Sequence, residues 1–81
     1  MKEKISDLVD NSIKELNVFV DDAFISEEEG KKVFNIVLDS SEVIDLNRVT
    51  EASRIINKIM DSSNLLDSVD ELDIYSKEKG E

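Results

Sequence analysis

Apolar and polar residues recur along this chain with two different periods, and each change of period marks a new element. Over residues 2–16 the apolar positions lie three and four residues apart, which predicts an amphipathic helix. Its apolar stripe consists of Ile5, Leu8, Val9, Ile13 and Leu16. A helix of this length is marginal in isolation, so we expect the stripe to pack against the rest of the domain.

Alternation of period two follows and predicts two strands. Residues 17–26 are rich in β-branched and aromatic side chains, and Asp21 and Asp22 interrupt their alternation, which indicates an edge strand or a bulge. Residues 32–39 alternate without interruption. One face of this strand carries Phe34, Ile36 and Leu38, and the other carries Val33, Asn35, Val37 and Asp39. The loop between the strands contains Gly30, which adopts positive φ at little cost and suits a hairpin turn.

Helical periodicity returns after a polar turn at residues 39–42. Asp45 is the expected N-cap of a helix over residues 45–60, because its carboxylate can accept from backbone N–H groups of the first turn. The apolar face of this helix consists of Leu46, Val49, Ala52, Ile55, Ile56, Ile59 and Met60. We expect Leu65 and Leu66 to enter the core, and residues 71–76 to form a third strand with Leu72 and Ile74 on one face and Asp73 and Tyr75 on the other.

The predicted order is α-β-β-α-β, which makes the fold class α+β. The natural arrangement is a two-layer sandwich, in which a small three-stranded sheet is covered on one face by two helices. The helix between the second and third strands allows that pair to run parallel through a crossover. Eighty-one residues accommodate one domain, which we place at residues 1–76, followed by a polar C-terminal tail at 77–81.

The balance of charges limits the partners that this chain can bind. Its formal net charge is −10, and its basic residues are scattered, so direct binding to naked nucleic acid is not expected. An acidic surface either serves only to keep the chain solvated or forms a face that meets a basic protein, and composition does not separate these two interpretations. No apolar run is long enough to predict a membrane span or a secretory signal, and the absence of cysteine is compatible with a reducing cytoplasm, which is the expected location.

Few residues of this chain can carry chemistry. Without His or Cys, the usual nucleophilic triads cannot be built and zinc loses its two best ligands. Asp21 and Asp22 are a poor acid pair because neighbouring strand residues point to opposite faces. The acidic run at 27–29 lacks the ligand spacing of a calcium loop. We therefore expect a protein that is not an enzyme and uses no cofactor or metal.

One alternative interpretation comes from two Asp-Ser pairs in an acidic chain of about this size. Acyl carrier proteins bear a phosphopantetheine on the Ser of an Asp-Ser-Leu motif at the start of a helix. The candidates here are Asp39-Ser40 and Asp67-Ser68. The first follows an alternating run, the second lies close to the C-terminus, and a carrier protein is all-helical.

The strand, turn and second helix resemble the N-terminal domain of the RimP family of bacterial ribosome maturation factors. The residues that carry the resemblance are Val37-Leu38-Asp39, Ile44-Asp45-Leu46, Val49, Ser53-Arg54, Ile55 and Leu72-Asp73-Ile74. They occur in the family order and span about residues 4–76. After Ile74 the sequence departs from the family's Ser-Pro-Gly segment, and the family's C-terminal Sm-like barrel has no counterpart here, so functions of that barrel are not carried over.

The resemblance implies a non-catalytic factor that aids maturation of the small ribosomal subunit. Its expected partner is the pre-subunit or a basic ribosomal protein, and we expect the chain to be a monomer. The residues that the resemblance suggests for partner binding are Asp39, Asp45 and Arg54. A general protein-interaction domain is the remaining alternative.

Overall fold

The computed structural model describes residues 2–41, 46–64 and 66–77, and its elements follow the predicted order. They are helix α1 (Lys2–Ile13) with a short 3₁₀ extension (Lys14–Leu16), strands β1 (Phe19–Glu28) and β2 (Lys31–Asp39), helix α2 (Leu46–Ser63) and strand β3 (Glu71–Ser76). The predicted α+β class is therefore confirmed. Within the described residues no helix is long and apolar enough to cross a membrane.

The three strands form one sheet in the order β1-β2-β3. β1 and β2 are antiparallel neighbours, whereas β2 and β3 are parallel, as a crossover through α2 allows. The register of β1 shifts between Val20 and Asp22, which places a bulge at Asp21. Both features that the two acidic residues indicated are thus present, because β1 is an edge strand and also carries a bulge.

The hairpin between β1 and β2 is tighter than predicted. Its turn consists of Glu29 and Gly30, whose φ angles of 53° and 82° are the positive values that a two-residue type I′ turn requires. β1 extends to Glu28 rather than ending at residue 26. The extension brings Glu27 opposite Lys32 and Glu28 opposite Lys31, and opposite charges facing each other across two strands stabilise the pairing.

Helix α2 continues past its predicted end at Met60. The hydroxyl of Ser62 donates to the carbonyl of Lys58 at 3.2 Å, and that of Ser63 donates to the carbonyl of Met60 at 2.8 Å. These side chains bond back to the helix instead of starting a turn. The turn comes at Asn64, whose φ of 62° is the left-handed conformation that commonly closes a helix.

Both helices pack on the same face of the sheet, and the core lies between the two layers. Its buried members are Ile5, Val9, Ile13, Val18, Val20, Ala23, Phe34, Ile36, Leu38, Ala52, Ile56 and Met60. Leu66 packs against this cluster, as predicted, whereas Leu65 lies outside the described residues. The strict alternation of β2 explains why Phe34, Ile36 and Leu38 all reach the helices.

This architecture differs from the all-helical fold that a carrier protein requires. Ser40 directly follows β2, and Ser68 lies in the turn that precedes β3. Ser68 is therefore not at the start of a helix, where a carrier serine would stand. The hydroxyl of Ser40 donates to the carbonyl of Asn17, so it contributes to holding the end of β2 against the segment before β1.

Candidate functional site

The residues that the resemblance suggested for partner binding do not converge. Asp39 is half-buried at the end of β2, where its Oδ1 accepts a hydrogen bond from the Ser40 N–H at 2.7 Å. Strand alternation directs Asp39 to the sheet face opposite the helices. Arg54 is exposed on α2, which covers the other face, and Asp45 lies outside the described residues. Their roles in partner binding stay predictions.

The helices leave one face of the sheet uncovered, which we call the open face. It consists of Phe19, Asp22, Phe24, Ser26 and Glu28 on β1, Lys31, Val33, Asn35, Val37 and Asp39 on β2, and Glu71, Asp73 and Tyr75 on β3. Phe24 and Tyr75 are exposed to 40% and 36% on this face, although both are large and largely apolar. Exposed aromatic side chains that share one surface are typical of a contact site for another molecule.

A hydrogen-bonded network fixes Tyr75 on the open face. The phenol O–H of Tyr75 donates to Oδ1 of Asn35 at 3.3 Å, and Nδ2 of Asn35 donates to Oγ of Ser26 at 2.9 Å. Nδ2 also donates to the carbonyl of Val33 at 3.2 Å. Asn35 is only 5% exposed, so these partners satisfy an amide that burial would otherwise penalise. The Tyr75 hydroxyl is thereby bonded to the side chain of Asn35 on the neighbouring strand β2.

The open face is electronegative. The pKa of the Tyr75 phenol is raised above its ordinary value by burial first and then by the carboxylates of Asp73, Asp22 and Glu28. Each of these negative charges disfavours the phenolate, as carboxylates near a phenol do. The face can therefore attract a cation and repel an anion.

One lysine pairs with a carboxylate at the edge of the open face. Lys77 follows β3, and its backbone N–H donates to the carbonyl of Leu38 at 2.7 Å, so the chain stays beside β2. Its Nζ lies 3.8 Å from Oδ2 of Asp21 on β1, across the width of β2. An ammonium group thus pairs with a carboxylate at the edge of the open face within the molecule itself.

Among the described residues, no group of three or more acidic side chains is arranged to hold a metal ion. At the hairpin, Nζ of Lys31 lies 3.9 Å from Oε2 of Glu71, so part of the acidic charge there faces a lysine. Aromatic rings beside carboxylates suit a cationic group that can contact both.

A second apolar surface lies on the helical side. Leu8 of α1 and Ile59 of α2 line a shallow groove whose rim carries Lys58, Ser62 and Ser63. Leu8 is 38% exposed, so the groove offers some apolar area. It lacks the aromatic and acidic pairing of the open face, and its charged neighbour is a lysine, which does not favour a basic partner.

Sequence reasoning did not identify Phe24, Asn35 or Tyr75 as site residues. Alternation assigned Asn35 and Tyr75 to faces of their own strands, but it could not show that those faces coincide. The parallel register does so, because it places Asn35 opposite Asp73 and Val37 opposite Tyr75. These site residues could have been identified only if the pairing of β2 with β3 had been known.

No family model matches this chain, and no curated protein shows significant similarity to it.

Proposed function

We propose that this chain is a non-catalytic binding domain that acts in the cytoplasm and aids maturation of the small ribosomal subunit. Its partner is the pre-subunit or, more directly, a basic ribosomal protein. The observation that carries the proposal is the open face, where Phe24 and Tyr75 are exposed beside the carboxylates of Asp22 and Asp73. A surface of this kind recognises a cationic protein.

The charge of the whole chain supports the same class of partner. A net charge of −10 on 81 residues attracts basic proteins over long distances and accelerates their encounter at low ionic strength. An acidic domain that covers such a protein during assembly requires no catalytic residue.

The residues that carry the family resemblance follow the order of the elements in the domain. Those among the described residues lie on β2, α2 and β3, whereas Ile44 and Asp45 lie outside the described residues. The resemblance therefore covers three of the elements that build the domain.

Cosedimentation with immature small ribosomal subunits tests the proposal. We expect the chain to sediment with the particles at low salt and to be released progressively as the salt concentration rises, since the attraction between exposed charges is screened. Mature subunits serve as the matched comparison and should retain less of the chain. Failure to sediment with immature particles at low salt, together with failure to retain any basic small-subunit protein in a pull-down, would refute the proposed function.

A further inference from the structure

Two neighbouring rows of the open face combine two aromatic rings and two carboxylates in a crossed arrangement. One row of the sheet runs Asp22, Val37, Tyr75, and the next runs Phe24, Asn35, Asp73. Each edge strand thus presents an aromatic ring and a carboxylate two residues apart on the same face. Such residues are separated by about 7 Å along a strand, so one planar cation can contact both.

We propose that the open face is the docking site for an extended, arginine-rich segment of a basic protein, whose guanidinium groups stack on Phe24 and Tyr75 and pair with Asp22 and Asp73. This inference rests on the proposed function and adds to it the surface and the partner chemistry. Arginine fits better than lysine because its guanidinium is planar, stacks on aromatic rings and binds carboxylates through two parallel hydrogen bonds.

The spacing of the two aromatic residues indicates an extended segment. Phe24 and Tyr75 lie on the two edge strands, with β2 between them, and Tyr75 is displaced by two residues along its strand from the residue level with Phe24. Their Cα atoms are therefore about 12 Å apart. In an extended peptide, side chains four residues apart lie on one side at a separation of roughly 13 Å. Two arginines with three residues between them therefore match the two rings.

Two further observations favour a cationic segment on this face. The Lys77 ammonium lies 3.8 Å from the carboxylate of Asp21, the neighbour of Asp22, so a cation of the chain itself is found next to this face. The Tyr75 ring is held by Asn35, so little conformational freedom is lost when a ligand stacks on it. The site is thus oriented before the partner arrives.

RNA is the other macromolecule that stacks on aromatic residues of a sheet. Asp22 and Asp73 flank the rings on this face, and phosphate groups of a strand lying across them would be repelled. Charge complementarity therefore selects the basic protein, and an RNA oligonucleotide becomes the competing probe in the experiment.

The experiment uses Tyr75 itself as the reporter, because the chain contains one tyrosine and no tryptophan. A peptide without aromatic residues, carrying two arginines separated by three alanines, is titrated while the tyrosine fluorescence is followed. We expect a saturable change, with the matched lysine peptide binding roughly threefold or more weakly because it loses planar stacking. A single-stranded RNA oligonucleotide should give no saturable change.

Variants locate the binding surface. Combined Asp22→Asn and Asp73→Asn should weaken binding of the arginine peptide about tenfold, and Phe24→Leu should weaken it severalfold. The matched control combines Glu51→Gln with Asp61→Asn, which changes the net charge equally at exposed positions of α2 and should weaken binding less than about twofold. Circular dichroism confirms that each variant is folded.

Several results would overturn the inference. The inference is wrong if the arginine peptide fails to bind, or if it binds no more tightly than the lysine peptide. It is also wrong if the control pair of substitutions on α2 weakens binding as much as Asp22→Asn with Asp73→Asn, or if the RNA oligonucleotide binds in a saturable way. The inference and the proposed function fail separately. If the Asp22→Asn and Asp73→Asn variant still cosediments fully with immature subunits, the docking surface is wrong while the function stands. If the peptide binds as expected but neither the wild-type chain nor any variant cosediments with immature subunits, the proposed function is wrong.

Discussion

Removing the Tyr75 hydroxyl should destabilise the domain through its effect on Asn35. In the Tyr75→Phe variant the ring remains, but Oδ1 of Asn35 loses the donor that lies 3.3 Å away. Because Asn35 is 5% exposed, water cannot fully replace that donor, and an unsatisfied buried acceptor costs on the order of 1 kcal/mol or more. The bond is long, so we expect a loss of about 1 kcal/mol in the free energy of unfolding.

A double-mutant cycle with Asn35→Val isolates this interaction. Valine suits a strand and carries no buried amide, so in the Asn35→Val background the change Tyr75→Phe should cost less than about 0.3 kcal/mol. The expected coupling energy is therefore about 0.7–1 kcal/mol, measured by urea denaturation followed by circular dichroism. In thermal unfolding a loss of 1 kcal/mol corresponds to about 4–8 °C in Tm for a domain of this size.

The outcome that would refute this reasoning is equal cost in both backgrounds. It would mean that Tyr75 contributes to stability through its ring or through solvent, and that Asn35 does not orient it. A result of no measurable loss for Tyr75→Phe in the wild-type background would equally contradict the hydrogen-bond network as the structure presents it.

Three further predictions follow from the fold. Ile56 is fully buried, so Ile56→Ala should reduce the free energy of unfolding by about 3 kcal/mol in urea denaturation, while Lys58→Ala on the exposed side of α2 should change it by less than about 0.5 kcal/mol. Glu29 has a φ of 53° beside Gly30, so Glu29→Asn should raise the urea midpoint, with a gain of roughly 0.5–1 kcal/mol; a lower midpoint would contradict a type I′ turn. Because the pKa of Tyr75 is raised, the folded chain binds the phenol proton more tightly than the unfolded chain does. The contribution of this group to the free energy of unfolding is therefore fully present below pH 10.0, the ordinary tyrosine pKa, and is lost as the pH rises through the raised pKa. Tyr75→Phe should remove that part of the alkaline decline, and identical alkaline profiles for the two proteins would exclude it.

Periodicity was sufficient to predict the fold because each element has one buried side. The alternation of residues 32–39 placed Phe34, Ile36 and Leu38 together, and the structure buries all three against the helices. The strand over residues 71–76 was likewise predicted with the bounds that it has. In these segments local pattern and tertiary packing require the same conformation.

Element ends were predicted less well because they depend on interactions outside the pattern. The extension of β1 to Glu28 depends on the pairing of Glu27 and Glu28 with lysines of β2, which only the register reveals. The extension of α2 to Ser63 depends on serine hydroxyls bonding to helix carbonyls, although serine after a helix more often starts a turn.

The candidate site was the least predictable feature because it is assembled from distant parts of the chain. Asn35 and Tyr75 are forty positions apart and meet only through the parallel pairing of β2 with β3. The residues suggested by the resemblance include Asp39, which lies on the same face as these two, and Arg54, which does not. A sequence pattern identifies faces of single strands, whereas a binding surface requires the pairing of all three.

We propose that a basic small-subunit protein binds this domain on its open face. Methyl chemical-shift mapping tests it most directly, because Val33 and Val37 lie on the open face and Leu8 and Ile59 line the groove on the helical side. On addition of the basic protein, we predict that the methyl signals of Val33 and Val37 shift in a saturable way while those of Leu8 and Ile59 stay in place. Shifts confined to Leu8 and Ile59, or no saturable shift at any of the four, would contradict the claim.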